Sequence, residues 1–165
     1  MQEDIRERKK SVRKQVAVRL RQLSVTGKDR CSRKITELLT AEECWLLADT
    51  VLLFHAMRSI EPDTTYLIEA ALQAGKRTAL PRIEDGELQF RRISRLPGND
   101  SPELERHPMG FFEPKAELPP ISGDRADGSV LGIIPGAAFT VEGYRLGRGG
   151  GYYDRFLARH PGVVS

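Results

Sequence analysis

Arg145-Leu146-Gly147-Arg148-Gly149-Gly150-Gly151-Tyr152-Tyr153-Asp154-Arg155 gathers more potential chemistry than any other stretch of this 165-residue chain. Four glycines within five positions leave a main chain almost bare of Cβ atoms and free to take positive φ. Such a main chain can turn successive N–H groups toward one point, which suits an anion. Arg145 and Arg148 add fixed positive charge in a fork that matches phosphate oxygens. Tyr152 and Tyr153 can stack or hydrogen-bond, and Asp154 adds a carboxylate. No Gly-Lys-Ser/Thr follows, so this is not a Walker A loop. Tyr152 stands where a dinucleotide fingerprint needs its third glycine. On glycine content alone a surface turn is an equally good reading; the paired arginines and the tyrosines favour the anion site.

The flanking sequence says how such a loop is held. Ser129-Val130-Leu131-Gly132-Ile133-Ile134, ending at Pro135-Gly136, reads as a buried strand. Tyr152 to His160 reads as a helix stopped by Pro161-Gly162. The loop therefore feeds a helix N-terminus, whose unpaired N–H groups and dipole face the same anion. Upstream, Ile5, Val12, Val16, Leu20 and Leu23 define the buried face of a long helix over residues 3–23, with Lys9, Lys10, Arg13 and Lys14 beside it. Those cations are either a solvated face or part of a phosphate site. A second helix, over 29–39, would bury Ile35, Leu38 and Leu39, and Trp45, Leu46 and Leu47 are further core candidates. Thr50 to Phe54 reads as a buried strand, Asp63-Thr64 as a helix start, Gly75 as its stop, and Thr78 to Pro81 as the next strand. Strand, helix and strand in that order predict a parallel βαβ unit. Its first crossover carries His55 and Glu61, where an open α/β sheet usually presents ligand-binding residues. Taken singly, each reads as readily as a loop histidine or a helix-start acid. Leu88 to Ile93 after Glu84-Asp85-Gly86-Glu87 predicts a hairpin. Residues 94–128 read as a long irregular connection.

Hydrophobic residues make up 39% and charged residues 30%, which fits one soluble domain. The net charge of +3 hides an asymmetry: residues 1–34 hold 12 Lys/Arg against 4 Asp/Glu, a net of +8. Such a basic head could meet a nucleic acid, an acidic membrane or a polyphosphate. Cys31 and Cys44 form no metal or redox motif and read as buried free thiols in a reducing cytoplasm. The N-terminus is too charged for a secretory signal, and no apolar run is long enough for a membrane span.

Pro135-Gly136-Ala137-Ala138-Phe139 followed by Gly143 to Arg155 resembles the signature of the 5-formyltetrahydrofolate cyclo-ligases, also called methenyltetrahydrofolate synthetases. Lys9-Lys10-Ser11-Val12-Arg13 is similar to that family's Lys-x-x-Leu-Arg element, which contacts ATP, with Val12 for the usual leucine. Glu61-Pro62-Asp63-Thr64 resembles its Glu-x-(Asp/Glu)-Thr pattern, and Met109-Gly110-Phe111-Phe112-Glu113-Pro114 its Gly-x-x-Glu-Pro element. Thr140 stands where many relatives carry an aspartate.

The resemblance implies an α/β three-layer sandwich with a largely parallel central sheet flanked by helices, of the NagB/RpiA/CoA transferase kind. It implies a single cyclo-ligase domain over residues 1–165 that lacks the family's last strands, leaving an exposed sheet edge. The implied reaction is ATP-dependent cyclisation of 5-formyltetrahydrofolate to 5,10-methenyltetrahydrofolate with release of ADP and phosphate, within one-carbon metabolism. Arg145 and Arg148 are the implied catalytic residues. Lys9, Lys10, Arg13 and Arg145 to Tyr153 (Leu146, Gly147, Arg148, Gly149, Gly150, Gly151 and Tyr152 included) would bind ATP. His55, Glu61, Arg148, Gly149, Gly150, Gly151 and Tyr152 would bind the folate, and Asp154 would contact Mg²⁺. A cytoplasmic monomer with small-molecule substrates and neither membrane nor nucleic-acid partner follows. The alternatives are an inactive folate- or nucleotide-binding homologue and a basic nucleic-acid-binding module.

Overall fold

Two apolar runs separated by an amphipathic helix form the centre of the computed structural model, which describes residues 2–57, 60–98, 101–107, 111–121, 123 and 128–165. The runs are β1 (Thr50–Leu52) and β2 (Arg77–Glu84), and the helix between them is α4 (Thr65–Gln73). β1 lies parallel to β2, with Thr50 opposite Arg77. Gly75, at φ +70°, supplies the left-handed residue that ends α4. Asp85 and Gly86 both have positive φ, the geometry of a tight hairpin turn, and join β2 to β3 (Glu87–Ile93).

β6 (Pro120–Ile121) pairs antiparallel with β3, and β7 (Val130–Gly132) pairs parallel with β1. The five-stranded order is β6-β3-β2-β1-β7. The sheet is thus mixed rather than largely parallel: β1 has parallel neighbours on both sides, while the tight β2–β3 turn forces that pair to be antiparallel. The outer edge of β7 is not bare. Val164 N–H donates to Val130 O and Gly132 N–H donates to Val164 O, a parallel bridge.

Alternation along the strands builds two cores. Val51, Leu53, Leu80 and Ile93 face α4, joining Trp45, Leu67 and Ile68. Leu52, Ala79, Leu88 and Phe90 face the other way, joining Phe156 of α5 (Tyr152–Arg159). Helices therefore flank the central sheet on both faces.

The remaining elements are α1 (Gln2–Gln22), α2 (Val25–Thr40), α3 (Glu43–Leu47), the pair β4 (Leu104–Arg106) and β5 (Phe112–Pro114), and the pair β8 (Ala138–Phe139) and β9 (Arg145–Leu146). The connection read as irregular thus holds three short strands, two of which pair with each other and one with β3.

Several burial expectations fail. Of the expected α1 face, Val16 and Leu20 are half-buried, together with Arg13 and Ala17, but Ile5, Val12 and Leu23 are 48%, 40% and 44% exposed. The half-buried face meets β8, and Arg13 at its N-terminal end reaches the glycine loop at Gly147 O. Ile35 and Leu38 are exposed, as are Leu46 and Leu47, because α3 is a single short turn that sends only Trp45 inward. Cys31 and Cys44 are exposed free thiols, not buried ones.

Candidate active site

The glycine loop runs from β9 to the first turn of α5. Gly149 and Gly151 have φ of +112° and +67°, conformations that L side chains rarely adopt. Gly150 lies so close to the Tyr152 ring that a Cβ there would sit 2.8 Å from it. Among the described residues, none accepts a hydrogen bond from the N–H groups of Gly147 to Gly151. Consecutive amides with no partner in the chain are open to water or to an anion. They border a cleft of ≈420 Å³ that Lys9, Arg13, Arg145, Arg148 and Asp154 also line.

α1 reaches this cleft through Arg13, whose Nε donates to Gly147 O at 2.9 Å. Lys9 lines the cleft one turn earlier. Lys10 does not: it lies 3.7 Å from Glu7 on the exposed side of the helix. Arg145 Nη1 donates to Pro135 O at 3.0 Å, and its Nη2 is ion-paired with Asp154. Arg155 closes the loop from behind, donating to Gly150 O at 3.1 Å with its guanidinium over the Tyr152 ring.

A second cleft of ≈160 Å³ adjoins the first, and both are lined by Pro135, Arg148, Tyr152 and Tyr153. Its walls are largely apolar: Phe54, Met57, Ile83, Leu88, Phe111 and Phe112 contribute beside His55 and Glu61. The crossover after β1 is held by Thr64, a buried residue whose hydroxyl donates to Phe54 O at 2.5 Å and accepts from Ala56 N–H at 3.0 Å. That fold-back brings Met57 N–H onto Glu61 Oε2 at 2.8 Å. Glu61 Oε1 accepts from Arg148 Nη2 at 2.8 Å and Nε at 3.2 Å. The Glu61 side chain is only 6% exposed, so its charge is compensated locally. His55 Nδ1 accepts from Phe112 N–H at 3.2 Å, which ties the β5 wall to the end of β1.

Tyr153 sits where the clefts meet. Burial raises its phenol well above the ordinary range, the Glu61 carboxylate pushes the same way, and Arg145 opposes both. The site thus joins an anion-receptive cleft to an apolar one floored by a carboxylate. Lys9, Arg13, Arg145 to Tyr153 and Asp154 meet at the first, His55 and Glu61 at the second, and Lys10 stands apart. The aromatic wall of Phe111 and Phe112 belongs to the stretch that resembles the family's Gly-x-x-Glu-Pro element, to which the sequence alone assigned no site role. Met109 and Gly110 of that element lie outside the described residues.

Among the described residues no three His, Cys, Asp or Glu side chains cluster to cage an ion. Asp154 alone borders the anion cleft. That suits Mg²⁺ brought by a polyphosphate, which ordinarily takes one or two protein carboxylates beside phosphate oxygens and water.

A family model described as the 5-formyltetrahydrofolate cyclo-ligase family matches residues 5–165. The chain is 29% identical over 117 residues to a probable 5-formyltetrahydrofolate cyclo-ligase of Schizosaccharomyces pombe, covering 70% of this chain and 55% of that protein. It is 39% identical over 118 residues to the 5-formyltetrahydrofolate cyclo-ligase of Escherichia coli K12, covering 68% and 59%. The chain thus spans less than two thirds of the length of these two relatives. The solution structure of Aquifex aeolicus 5,10-methenyltetrahydrofolate synthetase superposes with a TM-score of 0.73 at 31% identity, covering 95% of this chain and 77% of that one. A glycine loop with free amides, an adjoining carboxylate-floored cleft and these matches lead to one assignment: the chain belongs to the 5-formyltetrahydrofolate cyclo-ligase family.

Proposed function

We propose that this chain catalyses the ATP-dependent cyclisation of 5-formyltetrahydrofolate to 5,10-methenyltetrahydrofolate, releasing ADP and phosphate. The observation that carries the reading is the junction itself. Unpaired amides of Gly147 to Gly151 and two guanidinium groups end where an apolar cleft with a carboxylate begins.

In this reading the first cleft holds the triphosphate and the second the reduced pterin. The amides of Gly147 to Gly151, with Lys9, Arg13, Arg145 and Arg148, neutralise the β- and γ-phosphates. Lys10 would act only at longer range. Glu61 accepts the adjacent ring and amino N–H donors of the pterin, a pattern that two carboxylate oxygens match. His55 and Tyr152 close on the folate, and Tyr153 stays protonated at the junction. Mg²⁺, when bound at Asp154, supplies further neutralisation of phosphate charge.

The formyl oxygen attacks the γ-phosphorus, and the bond from phosphorus to the ADP oxygen breaks. The N5 lone pair moves into the C–N bond, giving an iminium phosphate. N10 then attacks the formyl carbon, loses its proton, and the carbon–oxygen bond breaks to release phosphate. Little of this needs a protein nucleophile; positioning two ligands and stabilising charge does the work. We further propose a cytoplasmic, monomeric single domain of the NagB/RpiA/CoA transferase kind over residues 1–165. Among the described residues no helix is long and apolar enough to cross a membrane.

The test mixes purified protein with Mg·ATP and 5-formyltetrahydrofolate. Methenyl absorbance should rise in step with phosphate release, one phosphate per methenyl group. Binding of both ligands by titration calorimetry without product would instead indicate an inactive homologue.

A further inference from the structure

Two of the three arginines assigned to phosphate are each held by a carboxylate, while Arg13 is held by Gly147 O. Arg145 is ion-paired with Asp154, and Arg148 with Glu61. The second pair has the larger consequence. Glu61 Oε1 takes both Arg148 donors, which fills its two acceptor positions, while Oε2 takes Met57 N–H and keeps one position open on the nearly buried carboxylate. A pterin presenting two adjacent donors cannot engage Glu61 side by side until Arg148 withdraws.

Arg148 lines both clefts and lies between Gly147 and Gly149, the latter at φ +112°, so its backbone can reorient at small cost. A triphosphate in the first cleft offers it far more negative charge than one carboxylate does. Leaving Glu61 buried and unpaired is costly unless the pterin donors replace the guanidinium. Resting on the cyclo-ligase reading, we propose that the Arg148–Glu61 pair is a latch that couples the two sites. Nucleotide draws Arg148 off Glu61, and the freed carboxylate then accepts the pterin. Arg148 thus switches partner and makes the affinity of each ligand depend on the other. Linkage requires the effect to be reciprocal.

The experiment is a binding cycle on the whole chain. 5-Formyltetrahydrofolate is titrated with and without saturating Mg²⁺ and the β,γ-imido analogue of ATP, and the analogue is titrated with and without folate. The latch predicts that each ligand tightens the other by the same factor, about fivefold or more. AMP, which has no γ-phosphate to reach Arg148, should leave folate affinity unchanged. In Arg148→Met, folate alone should bind more tightly than to the unsubstituted protein alone, and the dependence on nucleotide should vanish. Equal folate affinity with and without the analogue, or weaker affinity with it, overturns the latch while leaving the cyclo-ligase reading intact. No folate binding in any arm overturns that reading and the latch together.

Discussion

Tyr153 shows how much one side chain reveals about the site. Its phenol lies between an anion-receptive cleft and an apolar one, and burial with the Glu61 carboxylate holds it protonated. Because the folded-state pKa is raised, the fold binds this proton more tightly than the unfolded chain does. The associated stability is fully present below the unfolded phenol value of about 10. It is lost as pH climbs from there through the folded value. Urea unfolding between pH 8 and pH 11 should therefore show the natural chain losing stability more steeply than Tyr153→Phe above about pH 10. Parallel curves would place Tyr153 in water. The glycine positions make a second residue-scale case. Gly151→Ala forces an L side chain into left-handed backbone, with its Cβ 3.0 Å from Arg155 Nη1. The strain is about 1–2 kcal/mol, and loss of ATP affinity should accompany a lower unfolding midpoint. These were the residues most legible in the sequence, since four glycines in five positions are flanked there by two arginines and two tyrosines. What the sequence could not show was that Arg148 and Glu61, 87 residues apart, spend their charge on each other.

At the scale of elements, the helix and strand periods were legible and their faces only partly so. α4 and the β2–β3 hairpin follow from apolar spacing and from Asp85-Gly86, because local chemistry dictates them. α1 was legible as a helix but only partly in its orientation. Of the expected face, Val16 and Leu20 are half-buried while Ile5, Val12 and Leu23 are exposed, and Arg13 joins the half-buried side. The reason is a tertiary hydrogen bond, Arg13 Nε to Gly147 O, which spans 134 residues and leaves no periodic trace. A hydrogen bond from a charged group contributes about 1.5–3 kcal/mol. Arg13→Met should therefore speed amide hydrogen exchange throughout α1 and raise KM for ATP, with the exchange of β1 and β2 unchanged. Uniform exchange across all elements would show that α1 is not separately anchored. The turn between β1 and α4 carries a sharper prediction. Thr64→Val keeps the shape but orphans Phe54 O and Ala56 N–H, at about 1–3 kcal/mol for each buried group. The unfolding midpoint should fall and KM for the folate should rise, since the same turn presents Glu61.

The molecule as a whole links its core to its site through α5. One end of that helix is the glycine loop; its middle is Phe156, 2% exposed, with its ring centroid 4.8 Å from Phe90 of the central sheet and 4.4 Å from His160. The second core also takes in Val163, whose neighbour Val164 bridges β7. The loop is thus anchored to the sheet through α5, by Phe156 on Phe90, by Leu157 and the tyrosines on the same core, by the Arg159–Glu87 ion pair, and by the chain that follows. Phe156→Ala should cost about 3–5 kcal/mol, the usual penalty for emptying a buried aromatic site. A purely structural role would lower stability and leave the ligand sites unchanged in the folded fraction. The geometry predicts more: with α5 free to shift, Gly149 to Gly151 lose their fixed approach to a phosphate, and the affinity for Mg·ATP falls as well. Phe156→Leu separates the two effects, because it keeps most of the buried volume and should retain nucleotide affinity within a few-fold while remaining folded. If ATP binds the folded alanine variant as tightly as it binds the natural chain, the loop is held by something other than this core.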